Sequence, residues 1–431
     1  MSGTSLKIFV HGSCVYIIGN AVTGILNYLI RRTMSVNLTV AEYGSFYSSF
    51  AVISLIMAFT DLGLVQAGTV LVSENAHLPD RKKLSQCFSA VFLLKLVFAV
   101  SAFAAVFLCH GWIVRNYLGN VGGAAFFCLS FLLLFQVCET AFTSLWNGLK
   151  RFTVTNAVAS SRAMFLFLCV LFLTKRFALA GAALAYVVTA AVFLTVSFLL
   201  YGGWQKLRIV FHIPGETWKR LCHLTGFIAF STLLLNIIFH MDTIMLTSLK
   251  GVESSAVYNI ALPVAQLVFS PLVFATVFLP IAVSMVKEQK YSALRKAAFV
   301  SILITLLVLP LVVFGMYLLA PFLIRILFNE KFIASAAPVL PVLSGGFILY
   351  ALGNMIAQIL IAFNSIRLLL TATTVAFFCN LLLNFLFIRF WDVVGAAWAT
   401  CLSYFIFSVL MTVFFFRELK QRLDEDSCHA V

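Results

Sequence analysis

The sequence predicts an all-α, polytopic membrane protein of twelve transmembrane helices in two six-helix bundles. Three observations lead to this fold class. Of the 431 residues, 62% are hydrophobic and only 10% are charged, whereas soluble domains carry about 25% charged residues. The apolar residues form twelve segments of the length that crosses a bilayer, about 20 residues. Finally, the first half of the sequence recurs in the second half.

The recurrence is clearest in residues 175–185 and 389–399, which read KRFALAGAALA and RFWDVVGAAWA. The offset between them is about 214 residues, roughly half the chain. The same shift, to within a residue or two, relates three further pairs: Tyr43 and Tyr258, Arg151 and Arg367, Gly12 and Gly226. A repeat of this length indicates a duplicated bundle, which in a membrane protein is the plan of a transporter that rocks about a central site.

The predicted spans follow one another with short loops between them. They lie near 11–30, 45–72, 87–109, 121–146, 157–174, 177–201, 222–249, 256–286, 297–324, 338–363, 368–388 and 394–416. Six precede a polar loop and six follow it. The predicted domains are therefore an N-terminal bundle over 1–201, a cytoplasmic linker over 202–221 and a C-terminal bundle over 222–431.

The loops also predict orientation and exclude several functions. The loops on one side hold about twice as many Lys and Arg residues as those on the other, which places both termini in the cytoplasm. The same distribution explains the net charge of +14 without nucleic-acid binding. The ten cysteines are scattered without metal-ligand spacing, and no catalytic motif occurs in a polar setting.

Charged residues within the spans are the candidate functional groups, because burying them in a bilayer is costly. Asp61 and Lys95 lie at similar predicted depths in spans two and three, and Glu139 and Arg162 do so in spans four and five. We expect each carboxylate to pair with the cation of the adjacent span. Either the pairs only hold neighbouring helices together, or the cations line a cavity and meet an anionic substrate.

Other polar residues recur with helical spacing. Gln136 and Glu139 share one face of span four, and Asn236 and His240 share one face of span seven. Asp242 lies away from that face, and we expect it either to pack within its own bundle or to pair with a cation in the outer half of the membrane; a coupling-ion role for its carboxylate is a further hypothesis. The end of span one carries Arg31 and Arg32, whose alternatives are anchoring in lipid headgroups and lining the cavity.

Three long segments carry a resemblance to a known family. Residues 27–75 contain an Arg at the end of a span, an acidic-aromatic-Gly step at Glu42-Tyr43-Gly44 and a DLGL turn. Residues 240–262 and 321–400 continue the pattern. The chain resembles the Wzx-type polysaccharide flippases of the multidrug/oligosaccharidyl-lipid/polysaccharide (MOP) exporter superfamily. The resemblance implies two bundles related by a pseudo-twofold axis along the membrane normal, a central cavity, and flipping of a lipid-linked oligosaccharide from the cytoplasmic to the external leaflet.

The resemblance also implies the binding partners and the location of the site. A lipid-pyrophosphate-linked glycan, such as an O-antigen unit, would meet a cationic site of Arg31, Arg32, Lys95 and Arg162. The expected cavity-lining or ion-coupling residues are Asn27, Asp61, Gln136, Glu139, Asn236, His240 and Asp242. We expect no catalytic residue, metal or cofactor other than a proton or sodium as coupling ion. The expected protein is a monomer in the cell membrane, in contact with its lipids and with glycan-polymerising proteins. The alternatives are a drug or metabolite exporter of the same superfamily and a membrane glycosyltransferase or ligase.

Overall fold

The computed structural model describes residues 3–75, 81–204, 208–269, 282–286 and 288–429, and these contain helices and no strand. The chain divides into two compact units, Met1–His240 and Met241–Val431. This division falls inside one long helix. The bundle boundaries predicted at 201 and 222 follow the sequence duplication and stay a prediction.

Unit 1 is built from seven helices and the beginning of an eighth. They are α1 (Gly3–Asn37), α2 (Val40–Asp61), α3 (Leu64–Asn75), α4 (Arg81–Asn116), α5 (Gly123–Ser130), α6 (Leu132–Gly148), α7 (Phe152–Leu199) and the first part of α8 (Gly215–Lys250). Helix α1 packs against α7, and α6 packs against α3, α4 and α7. The described core of this unit is aliphatic and aromatic, with Phe88, Phe142 and Trp146 almost fully buried.

The second predicted span is interrupted in the structure. Helix α2 begins with a capping box, in which the Glu42 amide donates to the Thr39 hydroxyl and the Glu42 side chain accepts from the Thr39 amide. It ends at Asp61, because Leu62 and Gly63 both adopt a positive φ. The span predicted over 45–72 lies within Val40–Asn75, one stretch long and apolar enough to cross a membrane, and the DLGL turn interrupts the helix inside it. The DLGL segment is apolar enough to extend a span, but its backbone turns.

Helix α7 is a hairpin that contains predicted spans five and six. Its backbone leaves helical geometry at Ala178, where φ is 45° and ψ is −126°. Phe165 and Phe193 would be about 42 Å apart on a straight helix, yet their ring centroids are 6.1 Å apart. A Cβ built on Gly181 would lie 2.1 Å from the Leu173 carbonyl oxygen. The absence of a side chain at Gly181 therefore permits the two arms to meet.

Besides a helical stretch over 282–286 and a short 3-10 helix at Glu330–Phe332, the described part of unit 2 contains the end of α8 and five further α-helices. They are α9 (Val252–Phe269), α10 (Tyr291–Leu327), α11 (Ile333–Ala336), α12 (Val339–Ala362) and α13 (Ile366–His429). Helix α13 repeats the hairpin of α7, with its non-helical residue at Asp392. A Cβ on Gly395 would lie 2.2 Å from the Phe387 carbonyl oxygen. The duplicated Gly-Ala-Ala segment thus marks the same backbone reversal in both units.

Seven helical stretches of the described residues are long and apolar enough to cross a membrane. They are Val40–Asn75, Arg81–Asn116, Gly123–Gly148, Phe152–Gly202, Tyr291–Leu327, Val339–Ala362 and Ile366–Leu423. Two of the seven are the hairpins, each long enough for two crossings. Predicted spans one, seven and eight fall on α1, α8 and α9, with residues 270–281 outside the described part. The protein is a multi-pass, all-α membrane protein.

The segment before α8 is attached to unit 1. The Val210 amide donates to the Ser89 hydroxyl at 2.9 Å, and the Arg220 guanidinium pairs with the Glu74 carboxylate at 2.5 Å. Leu221 is fully buried in the core of the same unit. The part of the predicted linker that the structure describes is therefore packed against unit 1.

Candidate functional site

The first candidate site surrounds Arg31 in unit 1. Its guanidinium carbon lies 4.6 Å from the centre of the Tyr47 ring, and the Tyr43 and Tyr47 rings are 4.7 Å apart. Tyr28 lies one turn before Arg31 on α1, and Tyr186, from the second arm of α7, packs against Phe46 of α2 with ring centroids 5.1 Å apart. We call these four tyrosines the tyrosine cage. Aromatic faces attract cations, so the Tyr47 ring stabilises the positive charge of Arg31 among apolar helices.

The neighbours of Arg31 on α1 are placed differently. Arg31 is partly buried, whereas Arg32 and Asn27 are exposed. The two arginines that the sequence could not tell apart therefore have different environments. Arg31 is held within unit 1, and Arg32 has the exposure expected of a residue that contacts lipid headgroups or solvent.

The second cation of unit 1 is enclosed in an ion pair. Lys95 is 0% exposed, and its Nζ donates to Asp61 Oδ1 at 2.5 Å and to Thr140 Oγ1 at 2.7 Å. The structure thus contains the predicted Asp61–Lys95 pair. Because the break at Leu62 ends α2 at Asp61, the carboxylate lies at a helix terminus next to α4. A substrate phosphate could reach Lys95 only by displacing these two acceptors.

The predicted Glu139–Arg162 pair is also present. Arg162 Nη1 donates to Glu139 Oε2 at 2.9 Å, with 26% and 7% of the two side chains exposed. Glu139 also interacts electrostatically with Lys95. The two pairs thus join α2 to α4 and α6 to α7 within unit 1. Gln136, on the same helix as Glu139, is partly buried.

The second candidate site is a polar cluster in unit 2, centred on Asp242. This side chain is 6% exposed. Its carboxylate accepts hydrogen bonds from the Tyr258 hydroxyl, from Thr400 Oγ1 at 2.7 Å and from Asn384 Nδ2 at 2.7 Å. Asn384 Nδ2 also donates to Asn380 Oδ1 at 3.0 Å. We call these five residues the Asp242 cluster. Asp242 therefore packs within its own unit, which was one of the two predicted alternatives.

One atom of this cluster is unsatisfied. Asn384 is 0% exposed, and its Oδ1 has no hydrogen-bond partner among the described residues. A buried carbonyl oxygen without a donor is costly. An oxygen of this kind next to a carboxylate and a hydroxyl offers the hard oxygen ligands that sodium or magnesium ions prefer. The described residues contain no group of three or more His, Cys, Asp or Glu side chains suited to a metal ion.

Several members of both sites were not identified in the sequence. Tyr258 and Tyr43 attracted attention only as copies of each other, and the other tyrosines were counted with the apolar residues. Asn380 and Asn384 have a detectable signal, because two amides one turn apart in an apolar span are unusual. The prediction that Asn236 and His240 share one face of span seven and line the cavity stays a prediction. Asn236 and His240 on α8 are both partly buried and belong to unit 1.

Comparison with known proteins identifies the family. The sequence profile described as "Polysaccharide biosynthesis protein" matches residues 9–286, and a second profile, MatE, matches residues 228–386. A curated relative, the uncharacterized membrane protein MJ1068 of Methanocaldococcus jannaschii, is 23% identical over 403 residues, covering 88% of this chain and 78% of the relative.

Two solved structures show the fold. One is a multidrug resistance MATE family transporter of the MOP superfamily in an inward-facing conformation. It has a TM-score of 0.78 and 14% identity, with 94% of this chain and 98% of that chain covered. The other is the lipid II flippase MurJ, described as inward closed. It has a TM-score of 0.74 and 14% identity, with 95% and 89% covered. The chain therefore has the fold of MOP superfamily proteins.

Proposed function

The chain belongs to the polysaccharide biosynthesis protein family, and we propose that it flips a lipid-linked oligosaccharide across the cell membrane for cell-surface polysaccharide synthesis. The observation that carries the proposal is Arg31, a permanently charged group that lies against the Tyr47 ring in an apolar helix bundle. Lipid II flippase MurJ, which shares the fold, is a protein whose name states a lipid-linked substrate. The proposed cycle is alternating access, with both termini in the cytoplasm.

Arg31 is the leading candidate for contact with the substrate headgroup. A guanidinium can donate two parallel hydrogen bonds to a phosphate, and Arg31 is partly exposed. Lys95 and Arg162 each donate to a carboxylate that would compete with a substrate phosphate, whereas the ring that Arg31 contacts carries no charge. We therefore propose that the pyrophosphate meets Arg31 first and that Lys95 and Arg162 contribute only if their carboxylates move away.

We propose sodium as the coupling ion and the Asp242 cluster as its site. The carboxylate, the Thr400 hydroxyl and the unsatisfied Asn384 Oδ1 are three oxygens from two helices, gathered in one buried place. A proton would bind to the Asp242 carboxylate alone. A sodium ion would also be coordinated by Asn384 Oδ1, which has no hydrogen-bond partner among the described residues. The other predicted coupling groups, Asp61 and Glu139, are neutralised by cations within unit 1.

The substrate contact is tested by replacing Arg31 with Gln. Losing a charged hydrogen bond costs about 1.5–3 kcal/mol, which corresponds to about a tenfold to hundredfold loss. We expect flipping of a fluorescent polyprenyl-pyrophosphoryl glycan in proteoliposomes to fall by this factor, while Arg32→Gln, one residue away and exposed, stays near wild type. Equal activity of Arg31→Gln and Arg32→Gln would contradict the assignment.

The coupling site is tested by Asp242→Asn. This change keeps the shape of the side chain and removes its charge, so we expect flipping to lose its response to an imposed sodium gradient. The matched control is Asp392→Asn, which makes the same change at another aspartate of unit 2, at the backbone reversal of α13. An unchanged sodium response in Asp242→Asn would exclude this site, and a response to pH alone would replace sodium by the proton.

The same proteoliposomes distinguish the second candidate, a drug or metabolite exporter. The MatE profile match over residues 228–386 is the observation that favours it. Export of organic cations without flipping of the glycan lipid would establish that function. We propose the membrane lipids, and in cells the glycan-polymerising proteins, as the neighbours of this chain.

A further inference from the structure

The tyrosine cage and the Asp242 cluster occupy duplicated positions in the two units. Tyr28, Tyr43 and Tyr186 precede Asp242, Tyr258 and Thr400 by about 214, 215 and 214 residues. The same offset relates the backbone reversals at Ala178 and Asp392. Helix α1 thus corresponds to α8, α2 to α9, and the second arm of α7 to the second arm of α13.

The duplicated positions surround opposite charges. In unit 2 the residue on α8 is the carboxylate itself, and the Tyr258 and Thr400 hydroxyls donate to it. In unit 1 the residue on α1 is Tyr28, and the charge is the guanidinium of Arg31 one turn further along the same helix. That guanidinium lies 4.6 Å from the Tyr47 ring. The Tyr47 ring is 4.7 Å from that of Tyr43, the copy of Tyr258, and Tyr186, the copy of Thr400, packs against Phe46 of the same helix.

We infer that the Arg31 guanidinium is a permanent cation of unit 1. It occupies the position equivalent to the one at which unit 2 binds an exchangeable cation. The inference rests on the proposed coupling site at Asp242. A guanidinium is always protonated in proteins and, being part of the chain, cannot leave. It lies against the face of the Tyr47 ring, and its charge repels a second cation.

Two consequences follow for the transport cycle. The chain exchanges a single coupling cation, at the Asp242 cluster, although its fold carries the same position twice. The positive charge of unit 1 stays in place through the whole cycle, so an anionic headgroup can pair with it whether or not the coupling ion is bound. The duplication thus provides one exchangeable and one fixed positive charge.

Sodium binding to the purified full chain tests the number of sites. We expect binding of radioactive ²²Na⁺ to saturate at one ion per chain and to be lost in Asp242→Asn. Two ions per chain, or saturable binding that remains in Asp242→Asn while Arg31 is intact, would overturn the inference. Absence of saturable sodium binding in the unaltered chain would instead refute the proposed coupling site.

Free guanidinium tests the fixed charge independently of sodium. In Arg31→Ala the cage loses its cation, so we expect guanidinium chloride, at concentrations too low to unfold the protein, to raise the melting temperature of this variant. The matched controls are Arg32→Ala, whose side chain is exposed, and sodium chloride at equal ionic strength. The same response to guanidinium in Arg31→Ala, Arg32→Ala and the unaltered chain would overturn the inference. If Arg31→Ala does not fold, the sodium count of the unaltered chain and of Asp242→Asn still decides it.

Discussion

Replacing Lys95 by Met should destabilise the protein by about 3–5 kcal/mol, the range measured when one partner of a buried ion pair is removed. The ammonium group is fully enclosed and contacts Asp61 and Thr140. Without it, the Asp61 carboxylate keeps its charge and loses its main partner. Because 23% of the Asp61 side chain is exposed, water can compensate in part, so the lower end of the range is expected. The measurement is the fraction of protein that stays monodisperse in detergent after heating.

Asp61→Asn should destabilise the protein more than Lys95→Met, because it removes the carboxylate that the fully buried Lys95 ammonium contacts. The double variant Asp61→Leu/Lys95→Met removes both charges and fills the volume with apolar groups. Such replacements are often neutral or stabilising, so we expect the double variant to regain most of the lost stability. A double variant as unstable as the sum of the two singles would show that the pair does not act as a unit.

The same variants separate the structural from the transport role of Lys95. The double variant lacks the cation but should be folded. If it flips the glycan lipid normally, the ion pair only holds α2 and α4 together. If it is folded and inactive, Lys95 takes part in transport, as the sequence predicted for the cationic site. Arg162→Met provides the comparison at the second pair, where 26% of the cation is already exposed.

Both ion pairs could be predicted from the sequence, because each depends only on the depths of two residues in neighbouring spans. Asp61 and Lys95 lie at comparable depths on spans joined by one loop, as do Glu139 and Arg162, and an apolar environment favours pairing. The Asp242 cluster could not be predicted in the same way. Its donors come from α9 and from both arms of α13, more than a hundred residues away in two of the three cases, and only the folded bundle brings them together.

The tyrosine cage was not predicted for a different reason. Tyrosine in an apolar span resembles phenylalanine in composition and periodicity, so nothing local shows that its ring faces a charge. The DLGL turn was expected from the resemblance alone, because leucine rarely adopts a positive φ and the composition of this apolar segment does not indicate a break at Leu62. The duplication itself carried the missing information, since Tyr43 and Tyr258 were already recognised as copies.

The second prediction with a large expected effect concerns Gly181 and Gly395, the glycines at the two hairpin reversals. A Cβ at Gly181 would lie 2.1 Å from a carbonyl oxygen of the opposite arm, and one at Gly395 would lie 2.2 Å from its counterpart. Both obstacles are backbone atoms, so no side chain can rotate away and the hairpin must open. Each opening would separate two packed spans of a unit. We therefore expect Gly181→Ala and Gly395→Ala each to abolish recovery of folded protein, measured as the monodisperse peak of a fluorescent fusion.

Gly315 on α10 is the matched control, because a Cβ there would have no neighbour within 4 Å. Alanine is the better helix former by about 0.8–1.0 kcal/mol, so Gly315→Ala should be recovered in amounts equal to or above the unaltered protein. Normal recovery of Gly181→Ala would mean that the arms of α7 do not approach as closely as described. The Gly-Ala-Ala segment was duplicated with the bundle. We therefore expect Gly181→Ala and Gly395→Ala both to abolish recovery of folded protein. If only one failed, the equivalence of α7 and α13, on which the comparison of Arg31 with Asp242 depends, would be lost.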